Sequence, residues 1–144
     1  MKTVKVMKAG NYKELRSEHQ EQVSLVGKIR ATLPDVLFYA VPNGGKRHIK
    51  TAFDLGKEGV NSGVPDLCFC EPRGKYHGLY IEMKRRPKTL KSGKKSYAGI
   101  SVSDNQKNFI QRLKDRGYKA EVCYGEDEAW KLLNDYLKQD TKGS

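Results

Sequence analysis

The chain has 144 residues, of which 28 are Lys or Arg and 17 are Asp or Glu, so its formal net charge is +11 at pH 7. This length suits one domain with a single core, and the 37% hydrophobic fraction falls in periodic runs that indicate a folded chain. No run approaches the roughly 18 apolar residues of a membrane-spanning helix, no signal peptide is evident, and the odd number of cysteines suits a reducing compartment, so we expect a cytoplasmic protein without a membrane partner.

The first predicted elements follow residues 1–13, which we expect to be a flexible arm ahead of a single domain over residues 14–140. A helix over residues 17–33 begins at Ser17, whose hydroxyl can cap free amides, and ends at Pro34. A strand over residues 36–41 and a short helix over residues 51–58 come next. Two strands suited to a hairpin follow over residues 66–70 and 79–84, and then a basic loop over residues 85–100. The last elements are a helix over residues 103–116, a strand over residues 119–124 and a helix over residues 126–138.

The resulting order is α-β-α-β-β-α-β-α. Helices interleaved with strands predict an α/β fold in which the helices pack over the faces of a central sheet. The helix over residues 103–116 begins with Ser103 and Gln106 in the spacing of a capping box, and Gly117 suits its end.

Positive charge is concentrated in two segments of the chain. One contains Lys46, Arg47, His48 and Lys50, and the other has seven basic residues and no acid between Lys84 and Lys95. Such clusters attract polyanions and release counterions when they bind phosphates. We therefore favour a nucleic-acid partner over the alternative that the charge only keeps the protein soluble.

Two carboxylates and a lysine lie on the two predicted strands of the hairpin. Glu82 and Lys84 are two residues apart on one strand, so they share a face, while Asp66 begins the other strand. With the Met83 carbonyl, the carboxylates form an all-oxygen site for a hard divalent cation, and Lys84 can polarise a water for attack on phosphorus while the cation neutralises charge on the phosphate. The alternative is a surface ion pair of Glu82 with Lys84 and a turn capped by Asp66.

The ordered set of motifs resembles the VRR-NUC (virus-type replication-repair nuclease) family of the PD-(D/E)xK nuclease superfamily. The resemblance covers residues 17 to about 137, and the chain resembles the small stand-alone versions found in phages and bacteria. It rests on Gly63-Val64-Pro65-Asp66, Ile81-Glu82-Met83-Lys84, Glu18 through Gln22, Val41 through Arg47, Ser103 through Gln106, and Gly117.

This resemblance implies a restriction-endonuclease-like core with a central mixed β-sheet, and it assigns roles to residues. Asp66, Glu82 and the Met83 carbonyl would bind Mg²⁺ or Mn²⁺, Lys84 would be the catalytic lysine, and Gln106 would position substrate or water in addition to capping its helix. An acid of the first helix would join the metal ligands.

Glu18 and Glu21 compete for that position on the first helix. At about 100° per residue, Glu18 lies about 55° from the centre of the apolar face and Glu21 about 115° from it. We therefore choose Glu18 and expect Glu21 to face solvent. The alternative for both is a favourable charge near a helix N-terminus.

The interpretation is a metal-dependent DNA endonuclease that needs no nucleotide cofactor. Family resemblance implies branched DNA, such as a four-way junction, as substrate and a homodimer as the active form. The alternatives are a basic module that binds nucleic acid without cleaving it and a sequence-specific restriction-type nuclease. The predicted DNA contacts are Asn43, Lys46, Arg47, Arg85, Arg86, Lys91, Lys94 and Lys95.

Overall fold

A computed structural model of the chain describes residues 16–42 and 49–141. The predicted arm and the predicted contacts Asn43, Lys46 and Arg47 lie outside these residues. In chain order the elements are α1 (Glu18–Thr32), β1 (Phe38–Ala40), α2 (Ile49–Lys57), β2 (Leu67–Phe69), β3 (Leu79–Lys84), β4 (Lys88–Thr89), β5 (Lys95–Ser96), α3 (Asp104–Asp115), β6 (Lys119–Tyr124) and α4 (Glu126–Leu137).

The central sheet is mixed, as expected. Its strand order is β1-β2-β3-β6; β1, β2 and β3 pair antiparallel, and β6 pairs parallel to β3 from Leu79↔Lys119 to Lys84↔Tyr124. The parallel pair requires a crossover, and the segment containing β4, β5 and α3 provides it. The predicted α/β architecture is therefore confirmed.

One segment differs from the sequence prediction. Residues 85–100 contain the antiparallel pair β4–β5 instead of an uninterrupted loop. Leu90 donates its amide to the carbonyl of Lys94 at 2.8 Å, and Gly93, with φ +83°, makes the turn. Two-residue strands carry no readable periodicity, which is why the pattern of residues did not reveal this hairpin.

The alternation of side chains along β3 divides the core into two layers. Leu79, Ile81 and Met83 are fully buried against α1 and α4. Tyr80 on the opposite face packs against a second cluster, formed by Ile110 and Leu113 of α3 and Ala120 of β6. Glu82 and Lys84 belong to this second face, so the sheet carries them toward α3. Within residues 16–42 and 49–141, none of the helices combines the length and the apolar composition of a membrane span.

Candidate metal centre

The strand β3 holds two charged side chains in a nearly solvent-free position. Glu82 is 2% exposed and Lys84 is 7% exposed, and Lys84 Nζ lies 3.5 Å from Glu82 Oε1. Burial of charge is costly unless each group is paired or binds a metal. The two residues therefore form a buried polar site and not the surface ion pair of the alternative interpretation.

Asp66 is positioned by a loop that packs directly on the N-terminus of α3. Gly63 has φ +87°, and a Cβ there would lie 2.4 Å from the carbonyl oxygen of Asn105, so only glycine fits this close approach. Asn105 Nδ2 also donates to Ser62 Oγ at 2.6 Å. The G-x-P-D motif thus sets the distance between α3 and the start of β2.

The hydrogen bond from the Met83 amide to Asp66 Oδ2, at 2.7 Å, links β3 to this loop. It lies beyond the Leu67↔Ile81 end of the β2–β3 ladder. Because the N–H and C=O groups of a strand residue point to the same edge, the Met83 carbonyl is also on the edge that carries Asp66.

Three carboxylates converge at this end of the sheet. Oxygen atoms of Glu18, Asp66 and Glu82 all lie within 4.8 Å of one another, with Glu18 exposed, Asp66 half-buried and Glu82 buried. Glu18 reaches the cluster from the first turn of α1, which begins with a capping box between Ser17 and Gln20. Elements far apart in sequence thus bring these acids together.

Repulsion and burial perturb the acids of this cluster. Burial raises the pKa of Glu82 to about 8, and the charges of Asp66 and Glu18 act in the same direction, against the opposing effect of Lys84. Burial also raises the pKa of Glu18. Among the described residues Glu82 Oε2 is a buried oxygen that receives no hydrogen bond. A cation would satisfy this oxygen and relieve the repulsion, so the residues fit a hard divalent metal ion.

Gln106 connects the helix α3 to the cluster. Its Nε2 donates to Glu82 Oε1 at 2.8 Å, and its Oε1 accepts from Lys84 Nζ at 3.2 Å. The same Oε1 accepts from the amide of Ser103 at 2.9 Å, while Ser103 Oγ accepts from the Gln106 amide. The side chain thus completes the capping box and contacts the cluster at once.

The expectation that Glu21 faces solvent is wrong. Glu21 is 0% exposed, because the buried face of α1 is centred on Glu21, Leu25 and Ile29, whereas Val23 is 57% exposed. The charge is tolerated since Arg86 Nε and Nη2 donate to the Glu21 carboxylate at 2.7 and 3.1 Å.

Glu21 also accepts a hydrogen bond from the backbone amide of Glu126. Glu126 is the first residue of α4, and its N-cap residue, Gly125, has no side chain to offer. The Glu21 carboxylate supplies the missing acceptor, and its charge suits a helix N-terminus. The sequence did not predict this contact, and its only signal there is an acid on the helix with no assigned partner.

The predicted basic contacts occupy different environments. Arg86 is engaged by Glu21 and by Asp127 at 3.3 Å, and Arg85 donates to the carbonyl of Ala98 at 3.0 Å. The hairpin carries the exposed lysines Lys91, Lys94 and Lys95.

The fold and the site together define a nuclease-type α/β domain with an acidic cluster that can bind a metal ion. The profile of the VRR-NUC domain matches residues 10–127, so the chain belongs to the VRR-NUC family, as the motifs indicated. A solved structure described as a VRR_NUC domain protein is 25% identical and superposes with a TM-score of 0.71 over 88% of this chain and 92% of that one. No curated protein matches the sequence significantly.

Proposed function

We propose that this protein is a metal-dependent DNA endonuclease that hydrolyses phosphodiester bonds at the carboxylate cluster. The observation that carries the proposal is the convergence of three carboxylates, one of them Glu82 with its unsatisfied Oε2, in a chain of a nuclease family. Family membership implies a nucleic-acid substrate, and the net charge of +11 suits a polyanion.

Glu18, Asp66, Glu82 and the Met83 carbonyl would hold Mg²⁺ or Mn²⁺. These oxygen donors match the preference of hard cations. A bound cation would supply positive charge that stabilises the phosphate as negative charge develops on it.

The buried Lys84 ammonium would act beside the cluster. Its hydrogen bond to Gln106 Oε1 and its contact with Glu82 Oε1 fix its direction. From that position Nζ would donate a hydrogen bond to the attacking water or to a phosphate oxygen. Gln106 contacts both side chains and would therefore keep Glu82 and Lys84 in a fixed position relative to each other.

The basic residues would bind the phosphate backbone without reading sequence. The exposed lysines of the hairpin are the best placed of those described, whereas Arg86 already has carboxylate partners. Asn43, Lys46 and Arg47 remain proposed contacts from their motif. Branched DNA such as a four-way junction as substrate, and a homodimer with two sites for two strands, are further proposals that rest on the resemblance.

Cleavage of supercoiled plasmid and of a labelled four-way junction, with Mg²⁺, Mn²⁺ or EDTA, tests the proposal. We expect cation-dependent cutting that Asp66→Asn, Glu82→Gln or Lys84→Met reduces by about a hundredfold or more. Glu121→Gln is the matched control, because Glu121 lies on the adjacent strand, exposed and paired with Lys119, and it should cut like the unchanged protein.

Four outcomes would change the proposal. Binding without cutting under any metal would favour a non-cleaving module. Discrete fragments from linear duplex would favour a sequence-specific nuclease, and equal cutting of junction and duplex would remove the branched-DNA preference. A monomer in light scattering, with and without junction DNA, would contradict the homodimer.

A further inference from the structure

A groove runs from the carboxylate cluster along the outer face of α1. It has a volume of about 650 Å³ and lies between α1 and the end of β1. Residues spaced about four apart on the helix form one wall, and Pro42 lies on the other; Glu18 and Asp66 are at one end, and Arg30 also lines the groove. The groove is therefore continuous with the proposed reaction site.

The length of the groove suits an extended occupant. The thirteen residues from Glu18 to Arg30 span about 18 Å of helix, and the groove follows this wall. One extended chain can therefore lie along α1 from the carboxylate cluster to Arg30.

The chemistry of the walls suits an unpaired nucleic-acid strand. Val23, Val26, Val41 and Pro42 provide apolar surface. Val23 is 57% exposed, whereas Leu25 and Ile29 of the same helix are fully buried. Arg30 provides a cation for a phosphate, and the acids at the opposite end belong to the cation site. A single strand presents both apolar base surfaces and phosphates.

We propose that this groove binds an unpaired segment of the substrate strand next to the phosphate that is cut. This inference rests on the proposed nuclease function and deepens it, since it makes single-stranded character beside the cut a determinant of substrate choice. The inference assigns Arg30 to phosphate binding and the valine wall to base or sugar contact.

Gly27 offers a direct way to block the groove. It lies in the wall of the groove, and a Cβ built on it meets no atom within 4 Å. Gly27→Leu should therefore project into the groove while raising the helix propensity of α1. Gly56→Leu is the matched control, because Gly56 is also helical and open to 4 Å but lies on α2.

The test measures fluorescence anisotropy with Ca²⁺ in place of Mg²⁺, using a blunt duplex and the same duplex with a 5′ or 3′ tail of about six nucleotides. We expect the unchanged protein and Gly56→Leu to bind one tailed duplex about tenfold more tightly than the blunt one. Gly27→Leu should lose that gain. Arg30→Gln should lower the slope of log affinity against log salt for the tailed duplex by about 0.7. Melting temperatures of both leucine variants at or above that of the unchanged protein verify the fold.

The inference is overturned if the unchanged protein binds tailed and blunt duplexes equally, or if folded Gly27→Leu keeps the gain. Metal-dependent cutting in either case would leave the nuclease proposal intact. Conversely, tail binding that depends on Gly27, with no cutting under any metal, would support the groove and contradict the nuclease.

Discussion

The buried pair of Glu21 and Arg86 gives the sharpest prediction about stability. Replacement of Arg86 by Met removes two hydrogen bonds of 2.7 and 3.1 Å from a carboxylate that is 0% exposed. Glu21 would keep the amide of Glu126 as a partner but would lose its counter-ion. Breaking a buried ion pair from one side costs about 3–5 kcal/mol.

Urea and thermal unfolding measure this effect. With about 2–4 °C per kcal/mol for a domain of this size, we expect a fall in melting temperature of roughly 10 °C. Arg85→Met is the matched control, because Arg85 donates a hydrogen bond to a backbone carbonyl where Arg86 pairs with a buried carboxylate. This control substitution should cost about 1 kcal/mol or less. The double variant Glu21→Gln with Arg86→Met should recover part of the loss, since no buried charge remains.

Equal unfolding free energies for Arg86→Met and Arg85→Met would refute the reasoning. So would a double variant less stable than Arg86→Met alone. In either case the carboxylate of Glu21 would be less dependent on the guanidinium than its burial implies.

Three further predictions concern the site and the hairpin. Gly63→Ala should lower the free energy of unfolding in urea by about 3 kcal/mol or more, and Gly93→Ala by only about 1 kcal/mol. Both glycines have positive φ, but only Gly63 lies against the backbone of another segment. Equal losses of stability would contradict this close approach. In EDTA the raised pKa of Glu82 means that the folded state retains a proton on this carboxyl between pH 4.5 and about 8. The free energy of unfolding should therefore fall as pH rises through that window, and Glu82→Gln should flatten this pH profile. An unchanged slope in the variant would argue against a buried, repelled carboxylate. Replacing the hairpin lysines Lys91, Lys94 and Lys95 by Gln should lower the slope of log affinity for DNA against log salt by about 2–3. An unaltered slope would place the hairpin away from the phosphates.

Local rules predicted those parts of the site that depend on local geometry. The two-residue alternation of β3 placed Glu82 and Lys84 on one face, and the spacing of Ser103 and Gln106 gave the capping box that α3 contains. These features follow from strand pleating and from helix N-terminal amides, which act within a few residues.

Contacts between distant residues were beyond those rules. Glu21 and Arg86 are 65 positions apart. Helical periodicity placed Glu21 about 115° from the centre of the apolar face and so predicted that it faces solvent. The contact of Gly63 with Asn105 likewise depends on how the loop meets α3. The motif contains Gly63, but only the packed structure shows that this glycine lies against the backbone of Asn105.

Gln106 has two roles that a substitution can separate: it completes the capping box at the start of α3, and it contacts the carboxylate cluster. A capping box accepts glutamate at this position as readily as glutamine, so Gln106→Glu would preserve the helix start while adding a fourth anion beside Glu82. The start of the helix tolerates both residues here, whereas the charge balance of the carboxylate cluster distinguishes them. The start of the helix therefore does not select the amide, whereas its contacts do, because only an amide can donate to Glu82 and accept from Lys84 at once.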